Sequence, residues 1–343
     1  MKNNWRPLLL ALCVLLLGAF VLYYMEDVNK SATRSIFAMD TYMEITAYGR
    51  DSEAAVEAAA QEIQRLDALL STGLAGSEVS ELNRNKTGIL SDDTAYLLRY
   101  SLALWQETDG AFDITVYPVM RAWGFDTQAY RVPAQEELAE LTAWVDTSGL
   151  IYNETDGTLA LPEAVEIDFG GIAKGYTAWR AAQIMQEYHI RSAKLNLGGN
   201  VQLVGARPDG SAWRIAIKSP DGATPYLGIL SVKDKAVVTS GGYERYFEEA
   251  GVVYHHILDP RTGRPAQSGL VSVTIVSADG TLADGLSTAV YVMGRKRAEA
   301  FWRENRDYFD MVLFDEENRL YVTEGIASDF AAADEMTVEI IRR

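Results

Sequence analysis

Apolar positions Val56, Ala59, Ala60, Ile63, Leu66 and Leu70 recur at helical spacing after Ser52, and Ser71-Thr72-Gly73 closes that helix. Before it, Ile36 to Tyr48 alternates at Met43, Ile45 and Ala47 and predicts a first strand, preceded by a polar stalk from Glu26 to Ser35. A polar loop carries Ser77, Glu78, Ser80 and Asn83. A second helix is expected over Thr94 to Thr108, capped by Asp92 or Asp93 and stopped by Asp109-Gly110. Ala111 to Val116 reads as extended, and Pro133 opens a third helix through Trp144. A short apolar strand, Ala164 to Phe169, then runs into Gly170-Gly171 and a helix from about Lys174 to Tyr188.

The second half of the chain is rich in short apolar runs broken by turns. Strands are expected over 192–197, 201–206, 213–218, 227–232, 236–240, 251–258 and 271–277. Ala283 to Met293 has the composition of a buried helix, with Ala298 to Phe301 on the next one. Strands over 311–314, 320–323 and 336–341 end the chain. Helices and strands mix without strict βαβ alternation, so the fold class is α+β, with mixed or antiparallel sheets and packed helices.

The N-terminus departs from this pattern. Lys2 and Arg6 precede Leu8 to Tyr24, a run without charge, long for a signal h-region and at the lower limit of a membrane span. Residues 1–30 therefore form a membrane anchor or signal segment, and the absence of a small-x-small cleavage site favours an uncleaved transmembrane helix. Residues 31–343 form the domain outside, because the flanking positive charges hold the N-terminus inside. Cys13, the single cysteine, lies within the run, so the exported part has no intramolecular disulfide. A net charge of −17 excludes a nucleic-acid surface, which needs basic patches.

Candidate chemistry gathers in four places. Glu166 to Thr177 offers glycines for close backbone approach, a helix start that attracts phosphate, an acid (Asp168) and a base (Lys174). It is neither a P-loop nor Gly-x-Gly-x-x-Gly, and a plain packing turn fits as well. Asp284, Ser287 and Thr288 stand at i, i+3 and i+4 on one helix face, three hard oxygen donors suited to Mg²⁺, or a simple helix cap. His255 and His256 precede Asp259-Pro260-Arg261-Thr262-Gly263; either can be a base, but strand neighbours face opposite sides, so spacing does not choose between them. Asp113 is a strand-edge carboxylate.

Taken together, these stretches resemble the ApbE family, flavin transferases that move FMN from FAD onto a protein threonine. The matching blocks are Met39-Asp40-Thr41, Gly110 to Val116 with Trp123-Gly124-Phe125, Ile167 to Tyr176, Asn196 to Asn200, Thr239-Ser240-Gly241, His256 to Gly263 and Ala283 to Gly294, in family order from about residue 35 to 335. The resemblance implies a T-fold-type core and a FAD pocket lined by Met39, Ala111, Phe112 and Asp113. It implies Asp168 and Lys174 near the ribityl–diphosphate region, and His256 beside the reacting phosphate. Asp284, Ser287 and Thr288, with the carbonyl of Gly171, would hold Mg²⁺, making His256 and Asp284 the catalytic pair. The acceptor would be a membrane redox subunit with an exposed threonine, met by an extracytoplasmic catalytic domain. Where the family often carries an aromatic that packs on the flavin, this chain has Gly73, so stacking would pass to Tyr42 or Tyr48. Two other functions use the same residues: a FAD diphosphatase yielding FMN and AMP, and an exported FAD-binding protein without catalysis.

Overall fold

The computed structural model describes residues 5, 9–18, 30–220, 222, 224–334 and 336–343. Residues 9–18 are helical, and most of the rest of the expected N-terminal span lies outside the described residues. Among the described residues no helix is long and apolar enough to cross a membrane.

The first expected strand is two. β1 (Ser31–Ala38) and β2 (Thr41–Tyr48) pair antiparallel, Ala38 opposite Thr41, around Met39 and Asp40 at φ 48° and 58°. Two successive left-handed residues make the tight turn whose twist suits a hairpin. The stretch expected as a stalk is therefore already sheet from Ser31, with most of β1's alternate positions in solvent because it is an edge strand. β3 (Ser192–Leu197), β4 (Asn200–Gly205), β5 (Ala236–Gly241), β6 (Leu270–Ser277), β7 (Phe309–Asp315), β8 (Leu320–Thr323) and β9 (Val338–Ile341) complete a nine-stranded sheet. Its strands stand side by side in chain order. Neighbours are antiparallel up to β8, which pairs parallel with β9.

Helices cover one face. α1 (Ser52–Leu70) and α3 (Ala173–Glu187) bury Val56, Ile63, Ala178 and Met185 against Met43, Ile45, Leu195 and Leu197 of the first strands. α4 (Gly280–Met293) does the same over β5 and β6, with Leu286, Ala289 and Val290 on Val238, Val273 and Ile275. Each of the valine, leucine, isoleucine and methionine side chains contributes about 1.5–3 kcal/mol by leaving water. A three-stranded sheet of Tyr226–Val232 flanked by Trp213–Lys218 and Phe330–Ala332 covers the opposite face around Leu203, Val237 and Phe314. The architecture is thus α+β, as the mixed pattern implied.

Other differences are local and have local causes. α2 (Asp92–Glu107) is capped by Ser91, whose Oγ accepts from Thr94 N, and not by Asp92 or Asp93. The expected polar loop is a helix, Glu78–Asn85, capped by Ser77 through Ser80 N at 3.1 Å. Ala111 to Val116 is not extended: it closes into a 3-10 turn, Ile114–Val116, and a helix, Tyr117–Trp123. The third expected helix shortens to Gln135–Thr142. The expected strand from Ala164 to Phe169 does not form: Ala164 lies in a turn and residues 165–169 join no sheet, the Asn83 side chain standing in for a partner strand. Asn83 Nδ2 donates to Ile167 O and its Oδ1 accepts from Ile167 N, each at 2.8 Å. The expected strand 251–258 breaks into Val252–His255 and Leu258–Asp259.

α3 and α4 meet backbone to backbone at their first turns. A Cβ on Gly175 would lie 2.2 Å from Gly280 O and 2.4 Å from Asp284 Cβ. Helix propensity alone would make Gly175→Ala stabilising by about 1 kcal/mol. The clash outweighs that gain, and we expect a net loss of about 1–3 kcal/mol, read from urea unfolding midpoints.

Candidate active site

The glycine turn ends where α3 begins, and α3 lacks a cap of its own: Ile172 offers no side-chain acceptor. Asp284 supplies one from across the helix contact, Oδ2 accepting from Gly175 N at 2.7 Å. An anion therefore sits on the positive end of a helix, where the dipole favours it. Asp284 is 5% exposed. Burial pushes its carboxyl up; the Lys174 charge and hydrogen-bond donors from Gly175, Asn200 and the Lys174 backbone pull it back. The Asn200 amide is close enough to act on that charge but falls short of a proper bond, leaving its Nδ2 buried and unpartnered.

Asp168 stands on the other side of the turn. Its Oδ1 accepts from Gly170 N at 2.9 Å, and its backbone N–H donates to Ile114 O. Burial raises this carboxyl too, against the Gly170 hydrogen bond and the charges of Lys174 and Arg245. Lys174 thus faces both acids, and neither pairs with it as a salt bridge among the described residues.

The strand break after His255 decides between the two histidines. His255 packs edge-on against Tyr291, its ring centroid 5.5 Å away, and its Nδ1 is buried without a partner. His256 turns toward Lys174 and Arg245. Its Nδ1 lies 3.0 Å from Arg245 O, which also accepts from His256 N. A carbonyl only accepts, so the ring proton sits on Nδ1 and Nε2 is the basic nitrogen. Burial, then the Arg245 charge, takes the imidazole down to about 3, so it is neutral near pH 7.

The aromatic blocks hold that histidine in place. Trp123, Phe125, Phe247 and Tyr254 form one cluster, clamping the hairpin of Tyr246–Glu249 and Val252–His255. Trp123 Nε1 donates to Gly263 O at 2.7 Å, tying the Trp-Gly-Phe stretch to the turn after His256.

The remaining expected site residues divide. Ala111 and Phe112 are buried, and Phe112 covers the turn: a Cβ on Gly171 would be 3.1 Å from its ring and 3.7 Å from Thr288 Oγ1. Gly171, Phe112 and Thr288 therefore adjoin. Met39 packs beside α3, its Sδ 3.9 Å from Thr177 Oγ1 and its N–H on Asp67. Asp113 is fully engaged within the protein, accepting from Thr115 N, Thr115 Oγ1, Thr147 Oγ1 and Thr147 N. Ser287 is buried and donates to Asp284 O at 2.7 Å, so it accepts from Ser240 Oγ at 2.7 Å. Tyr48 packs on Trp213, whereas Tyr42 is exposed beside the hairpin turn. Asn83 and Arg245 belong to no motif in the sequence, and Asn200 has no role of its own within the Asn196 to Asn200 block, yet all three shape this site.

The donor chemistry fits a hard cation that takes only part of its shell from protein. Asp284 supplies a carboxylate and Thr288 a hydroxyl from one helix, with the Gly171 backbone beside Thr288, and Mg²⁺ prefers such oxygen donors when phosphates supply the remainder. No cluster of three or more His, Cys, Asp or Glu side chains that could form a full cage occurs among the described residues. Two surface clefts of about 570 and 590 Å³ lie elsewhere and include none of these groups.

Known proteins resemble this chain in sequence and in fold. The ApbE family model matches residues 39–313. The FAD:protein FMN transferase of Haemophilus influenzae is 34% identical over 266 residues, 74% of this chain and 76% of that protein. That of Treponema pallidum is 32% identical over 297 residues, 79% and 81% of the two chains. The crystal structure of the ApbE protein from Thermotoga maritima superposes with a TM-score of 0.82 at 32% identity, covering 88% of this chain and 99% of that one. The flavin transferase ApbE from Vibrio cholerae gives a TM-score of 0.79 at 29% identity, with the same coverage.

Proposed function

This chain belongs to the ApbE family, and we propose that it is a FAD:protein FMN transferase, moving FMN from FAD to a threonine hydroxyl of a membrane redox protein with Mg²⁺ and releasing AMP. The observation that carries the reading is the convergence of Lys174, Asp284 and His256 on one helix start. Phosphoryl transfer asks a protein mainly for positioning and charge neutralisation. Lys174, at the positive end of α3, attracts the diphosphate. His256 Nε2 takes the proton of the threonine hydroxyl as that oxygen bonds to the FMN phosphorus; the bond to the AMP phosphate breaks, and AMP leaves with its electron pair. Asp284, Ser287, Thr288 and the Gly171 carbonyl would hold Mg²⁺. When bound, the ion offsets charge on the phosphate oxygens. Asp168 orients the turn through Gly170 N. Met39, Ala111 and Phe112 line the flavin side, and Asp113 braces that wall from behind.

Residues 1–30 act as a single-pass anchor and the domain lies outside the cytoplasm, in reach of membrane acceptors; the uncharged run from Leu8 supports this. The test uses full-length protein in detergent with FAD, Mg²⁺ and candidate acceptor subunits, read by in-gel flavin fluorescence and mass spectrometry. An FMN adduct on threonine is the expected result. FMN and AMP appearing without an adduct would make it a diphosphatase instead, and stable bound FAD indifferent to chelator would make it a carrier.

Gly73 offers a gain-of-affinity experiment. A Cβ there meets nothing within 4 Å, so the first atom of a larger side chain displaces no neighbour. Gly73→Tyr should tighten FAD binding about 2- to 10-fold if it stacks on the flavin, measured by fluorescence titration.

A further inference from the structure

Arg245 opens the hairpin that ends at His256, and its two halves do different things. Its carbonyl receives both the backbone N–H and the Nδ1–H of His256. Its guanidinium is half-buried and donates through Nη1 to Phe125 O at 3.2 Å. No ion pair engages it among the described residues, although its charge acts on both Asp168 and His256.

Lys174 is in the same position: half-buried, without an ion pair among the described residues, and acting on Asp168, Asp284 and His256. The chain has 48 acidic and 31 basic residues. In such a surplus of acid, leaving two partly desolvated cations unpaired at one point costs stability unless an anion joins them. The nearby acids do not fill that role: among the described residues neither Asp168 nor Asp284 comes within ion-pair distance of Lys174 or Arg245, and each instead accepts from a backbone N–H of the turn or helix start. The partner that suits them is therefore external and anionic. A guanidinium with spare N–H donors grips phosphate oxygens in pairs, which an ammonium does not.

We propose that the Arg245 side chain is a second cationic grip on the FAD diphosphate, alongside Lys174, while its carbonyl positions His256. The proposal rests on the transferase reading above. Side-chain substitution leaves the carbonyl in place, so the two roles separate cleanly.

The experiment titrates full-length wild type, Arg245→Met and Arg245→Lys with FAD and with riboflavin, which has the flavin but no phosphate, following flavin fluorescence with Mg²⁺ present. Loss of a charge-assisted hydrogen bond predicts about 10- to 100-fold weaker FAD binding by Arg245→Met. Riboflavin affinity stays unchanged. Arg245→Lys recovers part of the loss, and the salt dependence of FAD binding becomes shallower in Arg245→Met. Equal weakening of FAD and riboflavin would mean that Arg245 only supports the fold, and unchanged FAD affinity would remove it from the site. Should Arg245→Met fail to fold, Arg245→Lys decides alone: several-fold weaker FAD with riboflavin intact supports the grip, and no change overturns it. Wild type that binds FAD no better than riboflavin ends the transferase reading itself, and this inference with it.

Discussion

Asp284→Ala is expected to abolish Mg²⁺-dependent flavin transfer, by 10³-fold or more on the order of several kcal/mol of charge stabilisation. The variant also loses stability. Asp284 is buried and caps α3 through Gly175 N, so alanine removes a cap worth about 0.5–2 kcal/mol. Asp284→Asn separates the two effects. It keeps an acceptor for Gly175 N while losing the charge, so it should unfold near the wild-type midpoint and still fail to transfer. Transfer by Asp284→Asn within tenfold of wild type would take the cation away from this residue.

The same carboxyl makes the cation's effect pH-dependent, with a defined sign. Burial raises Asp284 above its ordinary value of 3.8. Without metal, its protonated form favours the native state at low pH, and that stability is lost as pH rises through the raised value. A bound cation takes the proton's place above that point. The rise in thermal midpoint caused by Mg²⁺ should therefore be largest near neutral pH and shrink on acidification. In Asp284→Asn it should be small at every pH.

Much of this was readable in the chain and some was not, for physical reasons. α1, α3 and α4 carry apolar faces at helical spacing, and the Asp284-x-x-Ser287-Thr288 spacing put three oxygens on one face before any coordinates. The hairpin at Met39-Asp40 was hidden because neither residue is the glycine or asparagine that marks such a turn. The supposed strand before Gly170 has the composition of a strand, but its hydrogen bonds go to Asn83, a side chain 84 residues earlier. No local pattern encodes that. The commitment of the Ser287 proton to Asp284 O, and of the Asp113 oxygens to Thr115 and Thr147, likewise appears only once distant segments meet. Arg245 is not legible in the sequence, because nothing in Tyr243-Glu244-Arg245-Tyr246 distinguishes it from a solvated surface charge. Its meaning comes from the hairpin that brings its carbonyl to His256.

That carbonyl makes His256 the second decisive residue. Removing the imidazole leaves the cationic groups and the flavin wall in place, so His256→Ala should still bind FAD within a few-fold. Its transfer rate should fall by about 10²- to 10⁴-fold, the usual worth of a positioned base. The pH behaviour distinguishes a base from a structural ring. In the free enzyme the imidazole lies at about 3, against its ordinary 6.5, because of burial first and Arg245 next. kcat/KM should therefore show no His256 limb between pH 5 and 8, in contrast to an exposed histidine. A bound diphosphate neutralises Arg245 and Lys174, so the ring becomes more basic in the complex. The acid limb of kcat should then lie above that of kcat/KM. Stability follows the opposite rule from Asp284: a histidine neutral when folded but protonated when unfolded loses stability for the native state as pH falls from about 6.5 toward about 3. His256→Ala should flatten that acid sensitivity while slowing transfer. A variant that flattens it without slowing transfer would show that the ring is held here for packing, and that the proton goes elsewhere.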